Sequence, residues 1–340
     1  MYESFFGLSG KPFQLNPDPS FYFGSRGHKR AFAYLEYGLY QSEGFIVITG
    51  EIGAGKTTIV RSLLEQLDPA KVVAAQIVST QLDADDMLRA VGVAFGLPVG
   101  SVDKAMLLAS LEAFLCQLAV DSKRALLVVD EAQNLSPRAV EELRMLSNFQ
   151  LGDRALLQSF LVGQPELRAM MQSAQMQQLR QRIIASYHLG PLDKAETRAY
   201  IEHRLHHVEW KDDPRFEPEC FDLIHAMTGG IPRRINTLCN RLLLAAFIAE
   251  RHVLAMGDVQ AIATEIRDEL GPDAALSPIV SVAANEIPSL PQLDPGTLQK
   301  QFNHLEERID RLERTVSAAV DLLHRLLHPD KTSKPGTPAR

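Results

Sequence analysis

The stretch Gly50-Glu51-Ile52-Gly53-Ala54-Gly55-Lys56-Thr57-Thr58, GEIGAGKTT, follows the apolar run Phe45-Ile46-Val47-Ile48-Thr49, and its reading decides the fold. The β-branched run reads as a buried strand. The glycines after it let the chain curl so that successive backbone N–H groups face inward around anionic oxygens. A helix beginning near Lys56, with Ile59, Leu63, Leu64 and Leu67 on its apolar stripe, adds its positive N-terminal end to the same spot. Lys56 would bridge the β- and γ-phosphates of a nucleoside triphosphate, and Thr57 would offer its hydroxyl to Mg²⁺. A Gly-rich turn can also merely join a strand to a helix. The Lys-Thr pair at its end favours the phosphate reading.

Binding does not by itself cleave. The second element is Ala125-Leu126-Leu127-Val128-Val129-Asp130-Glu131, an apolar strand ending in two carboxylates. Asp130 at the strand tip would hold Mg²⁺, and Glu131 would polarise an attacking water as general base. Alone, such a strand could end in a solvated acidic turn. Downstream of the phosphate loop in one chain, the pair points to ATP as ligand and to hydrolysis as the reaction.

Outward from these two motifs, the first 190 residues alternate short apolar runs with helical patterns, the mark of an α/β parallel sheet flanked by helices. The expected strands are Phe45–Thr49, Val72–Ile77, Ala125–Val129 and Ser159–Val162. Residues 191–270 read as an all-α lid. Asp193 and Glu196 form a capping pair there, Phe221, Ile224 and Met227 a stripe stopped by Gly229-Gly230, and Ile235, Leu238, Cys239, Leu242 and Ala246 one further apolar face. Residues 271–296 carry five prolines and no helical period, as a linker does. From Leu298 through Phe302, Leu305, Ile309, Leu312, Val316, Ala319 and Leu323 to Leu326 the spacing is an unbroken 4-3 repeat. It predicts a coiled coil over 297–328, with a polar tail at 329–340. The alternative is an amphipathic helix folded back on the body.

Composition bounds the rest. The 340 residues carry a net charge of −7, against a general nucleic-acid binder, whose phosphate contacts need a basic face. The three cysteines stand in apolar helical patterns without CxxC spacing, so they read as small core residues of a reducing compartment. MYESFFGLSGKPF has no secretory pattern and no run approaches a membrane span, which predicts a cytoplasmic protein held at a membrane, if at all, by a partner.

The motifs together resemble an AAA+ ATPase, and more narrowly the general secretion pathway protein A / MSHA biogenesis group. The residues that carry this are FFGLSGKPFQLNPDPSFYF (5–23), GEIGAGKTT, LLVVDEAQNLS (126–136), LSNFQ (146–150), FLVGQPELR (160–168), LRQRI (179–183) and GGIPRRIN (229–236). The form of the first fifty residues looks closest to the secretion ATPases that accompany the PEP-CTERM/exosortase (XrtA) sorting system. The resemblance spans about residues 1–270 and implies further roles. Gln164 falls at the sensor-1 position, near the γ-phosphate or attacking water. Arg180 and Arg182 fall where an arginine finger would reach a neighbouring subunit's nucleotide, with no choice between them. Arg233 matches sensor 2, with Arg234 as fallback, and the N-terminal segment lines the adenine pocket or straps the core. Finger and sensor 2 imply a ring or partial ring. The implied function is hydrolysis that powers or regulates a secretion, pilus or exopolysaccharide-export assembly through a protein partner. The alternative is a DNA-associated ATPase such as a transposition helper. His203, His206 and His207 read as a solvated lid face, Trp210 as interdomain packing, and Arg144 and Asn148 as lying near the γ-phosphate edge.

Overall fold

The strand that precedes the Gly-rich turn, β1 (Phe45–Gly50), lies inside a sheet of five parallel strands, in a computed structural model that describes residues 1–16, 18–78, 82–100 and 103–270. The others are β2 (Val72–Val78), β3 (Arg124–Asp130), β4 (Leu157–Gly163) and β5 (Ile183–Leu189), in the order β2-β3-β4-β1-β5. Alternation explains the apolar runs. Phe45 and Val47 bury on one face of the sheet, with Leu127, Val129 and Leu161, while Ile46, Ile48, Leu126, Val128 and Phe160 bury on the other. Both faces need helices, and a strand covered twice shows no polar phase.

The first face is covered by α3 (Ala84–Ala94), α4 (Lys104–Val120), α5 (Pro137–Leu146) and α6 (Pro165–Gln172), the second by α1 (Arg26–Gln41) and α2 (Lys56–Gln66). Asp83, Asp103, Ser136 and Ser25 cap α3, α4, α5 and α1, each side chain accepting from the N–H three residues on.

β5 is the strand the sequence reading missed. It is an edge strand whose Ser186 and His188 are exposed, so IIASYHL lacks both the run of buried apolar residues of the three inner strands and the apolar VVAAQIV run of the other edge strand, β2. Its pairing with β1 shifts register at Phe45/Ile46.

Residues beyond β5 are mainly helical, α7 (Lys194–His207), α8 (Pro218–Thr228), α9 (Pro232–Ile248) and α10 (Met256–Leu270), but not all-α as expected, since the short strands Arg215–Phe216 and Val253–Leu254 pair in parallel. Asp193 and Glu196 form a complete capping box at α7, and Gly229, at φ 63°, ends α8. Ile235, Leu238, Cys239 and Leu242 of α9 are fully buried between α7, α8 and α10. Tyr2, Phe6, Leu8 and Phe13 of the N-terminal segment join this helical core rather than the sheet core, and Tyr2 donates to Asn240 at 2.8 Å. Trp210 packs inside the same cluster and donates to the Pro214 carbonyl at 3.1 Å, so it is not an interdomain residue. All described residues belong to one compact unit, and none of their helices is long and apolar enough to cross a membrane. The linker 271–296, the heptad segment 297–328 and the tail 329–340 lie outside the described residues.

Candidate functional site

At the carboxyl edge of the sheet, β1 runs into the loop Glu51–Gly55 and then α2. Gly53 and Gly55 take φ values of 81° and 98°, a left-handed backbone that side chains resist. Space is closed there as well. A Cβ on Gly53 would lie 2.3 Å from Cβ of Arg233, and one on Gly55 2.7 Å from Nε2 of His28. The loop is therefore held from two sides. The Arg233 N–H, at the start of α9, donates to the Gly53 carbonyl at 3.1 Å. On the other side His28 Nε2 donates to the Ala54 carbonyl at 3.1 Å, while Nδ1 lies 2.7 Å from Ser25 Oγ. A carbonyl can only accept, which places the proton on Nε2 and lets the serine hydroxyl donate to Nδ1. Burial lowers the His28 pKa below its ordinary value, which favours this neutral form.

Lys56 is buried at 6% exposure and donates to the carbonyls of Gly50 and Glu51 at 2.8 and 3.0 Å. Desolvation pulls its pKa down, opposed by the charges of Glu131 and Asp130. Thr57 Oγ1 donates to Asp130 Oδ2 at 2.9 Å, and the Glu131 N–H donates to Asp130 Oδ1 at 3.0 Å. Burial raises the Asp130 pKa, with the Thr57 hydrogen bond acting against it. Two hard oxygens side by side, one anionic, are a donor set that suits Mg²⁺, which draws its remaining ligands from phosphate and water.

β4 lies between β1 and β3, so its end reaches the gap between the phosphate loop and the acidic strand tip. Gln164, the next residue, donates through Nε2 to Glu131 Oε2 at 3.0 Å. Gln133, which the sequence reading passed over, donates to the same oxygen at 2.6 Å.

These elements open on a cavity of about 300 Å³. Ile52, Gly53, Gly55, Lys56, Thr57, Thr58, Glu131 and Arg233 line it, whereas Gly50, Glu51, Ala54, Asp130 and Gln164 stand directly behind that lining. The opposite wall is the N-terminal strap, from Gln14 through Asp18 and Phe21 to Phe23, together with Tyr200, Arg204 and Asn236 of the helical part. Arg204, 6% exposed, clamps the strap, donating to the carbonyls of Pro12 at 2.5 Å and Gln14 at 3.3 Å and to the Tyr200 hydroxyl at 3.0 Å. Its guanidinium lies 4.6 Å from the centre of the Phe21 ring. Tyr200 in turn donates to Asn236 at 2.9 Å. The three lid histidines therefore divide. His206 and His207 are exposed, yet His207 lies 4.1 Å from Phe21 and His203 5.5 Å from Phe23 between ring centres, so this helix face grips the strap.

Four arginines fall elsewhere. Arg180 donates to the carbonyls of Met171 and Ser173, each at 2.7 Å. Arg182 donates to Ser147 Oγ at 3.0 Å and to Asn148. Neither lines the cavity of its own chain. Arg144 pairs with Glu141 at 2.7 Å and lines a separate surface cleft with Gln177, Gln178, Gln181 and Arg182. Its expected place at the γ-phosphate edge is therefore not found. Arg234, beside Arg233, does not reach the cavity lining either.

Among solved structures, the chain is similar to the ORC2 protein of Aeropyrum pernix, with a TM-score of 0.54 and 20% identity over 70% of this chain and 66% of that one. It is likewise similar to Cdc6p of Pyrobaculum aerophilum, with a TM-score of 0.55 and 17% identity over 77% of this chain and 70% of that one. Residues 39–171 match the model of an AAA domain. This is the AAA P-loop NTPase fold. A curated relative, general secretion pathway protein A of Aeromonas hydrophila, is 42% identical over 274 residues, which is 79% of this chain and 50% of the relative. The chain thus spans about half the length of that relative.

Proposed function

We propose that this chain binds Mg²⁺–ATP in the cavity and hydrolyses it. The observation that carries the reading is the convergence of Lys56, Thr57, Asp130 and Glu131 on one pocket beside a loop whose Gly53 and Gly55 take left-handed backbone. Lys56 turns from the Gly50 and Glu51 carbonyls to the β- and γ-phosphates, exchanging two neutral acceptors for anionic ones. Thr57 and Asp130 hold Mg²⁺, which when bound neutralises charge on the phosphate oxygens. Glu131 takes the proton of the attacking water as the new oxygen–phosphorus bond forms and the bond to the bridging oxygen of ADP breaks. Gln164 orients that water or the γ-phosphate, and Arg233 reports γ-phosphate to residues 191–270 acting as a lid. The strap residues surround the base.

The trans finger is Arg180 or Arg182: Arg182 borders an open surface cleft with Arg144, and each is held by acceptors of its own chain, Arg180 by the Met171 and Ser173 carbonyls, Arg182 by Ser147 and Asn148. In this reading nucleotide sits between subunits of a ring or partial ring, and the 297–328 coiled coil joins protomers or docks a partner.

Hydrolysis powers or regulates an envelope secretion assembly, the role supported by 42% identity to a general secretion pathway protein A. The N-terminal sequence form favours the exosortase-linked, exopolysaccharide-export branch. The likeness to ORC2 and Cdc6p, at 20% and 17% identity, concerns fold alone and gives no weight to a DNA-bound role. The test compares wild type with Glu131→Gln. Equal affinity for Mg²⁺–ATP with phosphate release slowed roughly 100- to 10,000-fold supports the reading. Equal release rates in the two proteins, or no Mg²⁺-dependent binding by wild type, overturn it.

A further inference from the structure

Gln133 lies two residues beyond Glu131, in the 3₁₀ turn Ala132–Asn134, outside the cavity lining. Glu131 itself takes a left-handed φ of 54°, so the chain doubles back and lays the Gln133 side chain across the end of β4. There its Oε1 accepts from the Gln164 N–H at 3.0 Å, and its Nε2 donates to Glu131 Oε2 at 2.6 Å. The amide cannot be turned around, since an N–H faces one end and a carboxylate the other. Space has been cleared for it as well. A Cβ on Gly163 would come within 2.7 Å of Gln133 Oε1 and 2.8 Å of Leu167 Cδ2, so the last residue of β4 has no side chain where this amide and Leu167 lie.

We propose that Gln133 is a positioning residue for cleavage, its amide bridging the end of β4 to Glu131 and fixing which oxygen of that carboxylate meets the attacking water. This rests on the reading of Glu131 as general base. The Gln133 and Gln164 amides both donate to Oε2, so Oε2 is saturated and the carboxylate cannot rotate freely. Oε1 has no side-chain donor among the described residues and is the oxygen that accepts the water's proton. The same amide ties the base to the Gln164 backbone, so any shift of the β4 end on γ-phosphate binding moves Glu131 with it.

The test uses the full chain, Mg²⁺ and ATP, with single-turnover cleavage and ATP affinity measured separately. Gln133→Met keeps length and volume but neither donates nor accepts. It is expected to slow cleavage about 10- to 100-fold, as a misplaced catalytic group does, with affinity within about twofold of wild type. Gly163→Ala, which displaces the amide from the other side, is expected to slow cleavage as well and to add little to Gln133→Met in the double variant. Wild-type cleavage rates in Gln133→Met overturn the inference. So does a loss of affinity that matches the loss of rate, or full additivity with Gly163→Ala. If Glu131→Gln cleaves as fast as wild type, the failure belongs to the base assignment beneath it.

Discussion

The two walls of the cavity are built on different principles. The sheet-edge wall is made of backbone amides, glycines and four functional side chains, all within two short segments, 50–58 and 130–131. The facing wall is assembled from residues almost two hundred positions apart, Gln14 to Phe23 against Tyr200, Arg204 and Asn236. A triphosphate has one shape and charge, so the residues that grip it keep a fixed order and spacing. A base and ribose are held by shape and stacking, which many side chains supply. Local chemistry writes a motif; tertiary packing does not.

The sharpest way to break this contrast is to disable one wall at a time. Lys56→Ala is expected to weaken Mg²⁺–ATP about 100-fold, equivalent to about 3 kcal/mol, measured by calorimetry. Its melting temperature should stay level or rise, because burying the ammonium works against its charge. Arg204→Ala should do the reverse. Three donors to the strap and Tyr200 disappear, so stability should fall by about 2 to 3 kcal/mol in urea unfolding, with ATP affinity reduced roughly tenfold. Arg204→Lys should not restore it, because a single ammonium cannot reach three acceptors as a planar fork does. A protein in which Arg204→Ala leaves stability and binding intact would erase the distinction between the walls.

A smaller effect concerns the joint between them. His28 is held neutral by burial, with its pKa depressed below 6.5. Its contribution to stability is therefore full above pH 6.5 and is lost as pH falls through the depressed value. Wild type should lose melting temperature as pH falls from 6.5 towards that value, and His28→Gln, which retains a donor for the Ala54 carbonyl, should lose less. Parallel pH curves would remove His28 from the account.

The same contrast governs what was legible beforehand. The phosphate loop, the Asp130-Glu131 tip and the three inner strands could be read because burial on both faces and phosphate geometry each impose a pattern. Of the two edge strands, β2 could be read from its apolar run VVAAQIV, whereas Ser186 and His188 interrupt β5. Arg204 hides in the run His203 to His207, whose polarity reads as solvated, although the side chain is buried under the strap. Gln133 and His28 carry no spacing signal at all. The nearest clue to His28 was Ser25 three residues earlier, whose side chain both caps α1 and meets the imidazole ring. The choice between Arg180 and Arg182 stays open, because each donates to acceptors of its own chain and neither lines the cavity.

Hydrogen exchange on the full chain, with and without Mg²⁺–ATP, tests most directly whether one nucleotide spans both walls. The account predicts slowed exchange in residues 50–58 together with residues 18–23 of the strap and the start of α9. Protection confined to the phosphate loop, or none anywhere, would contradict it.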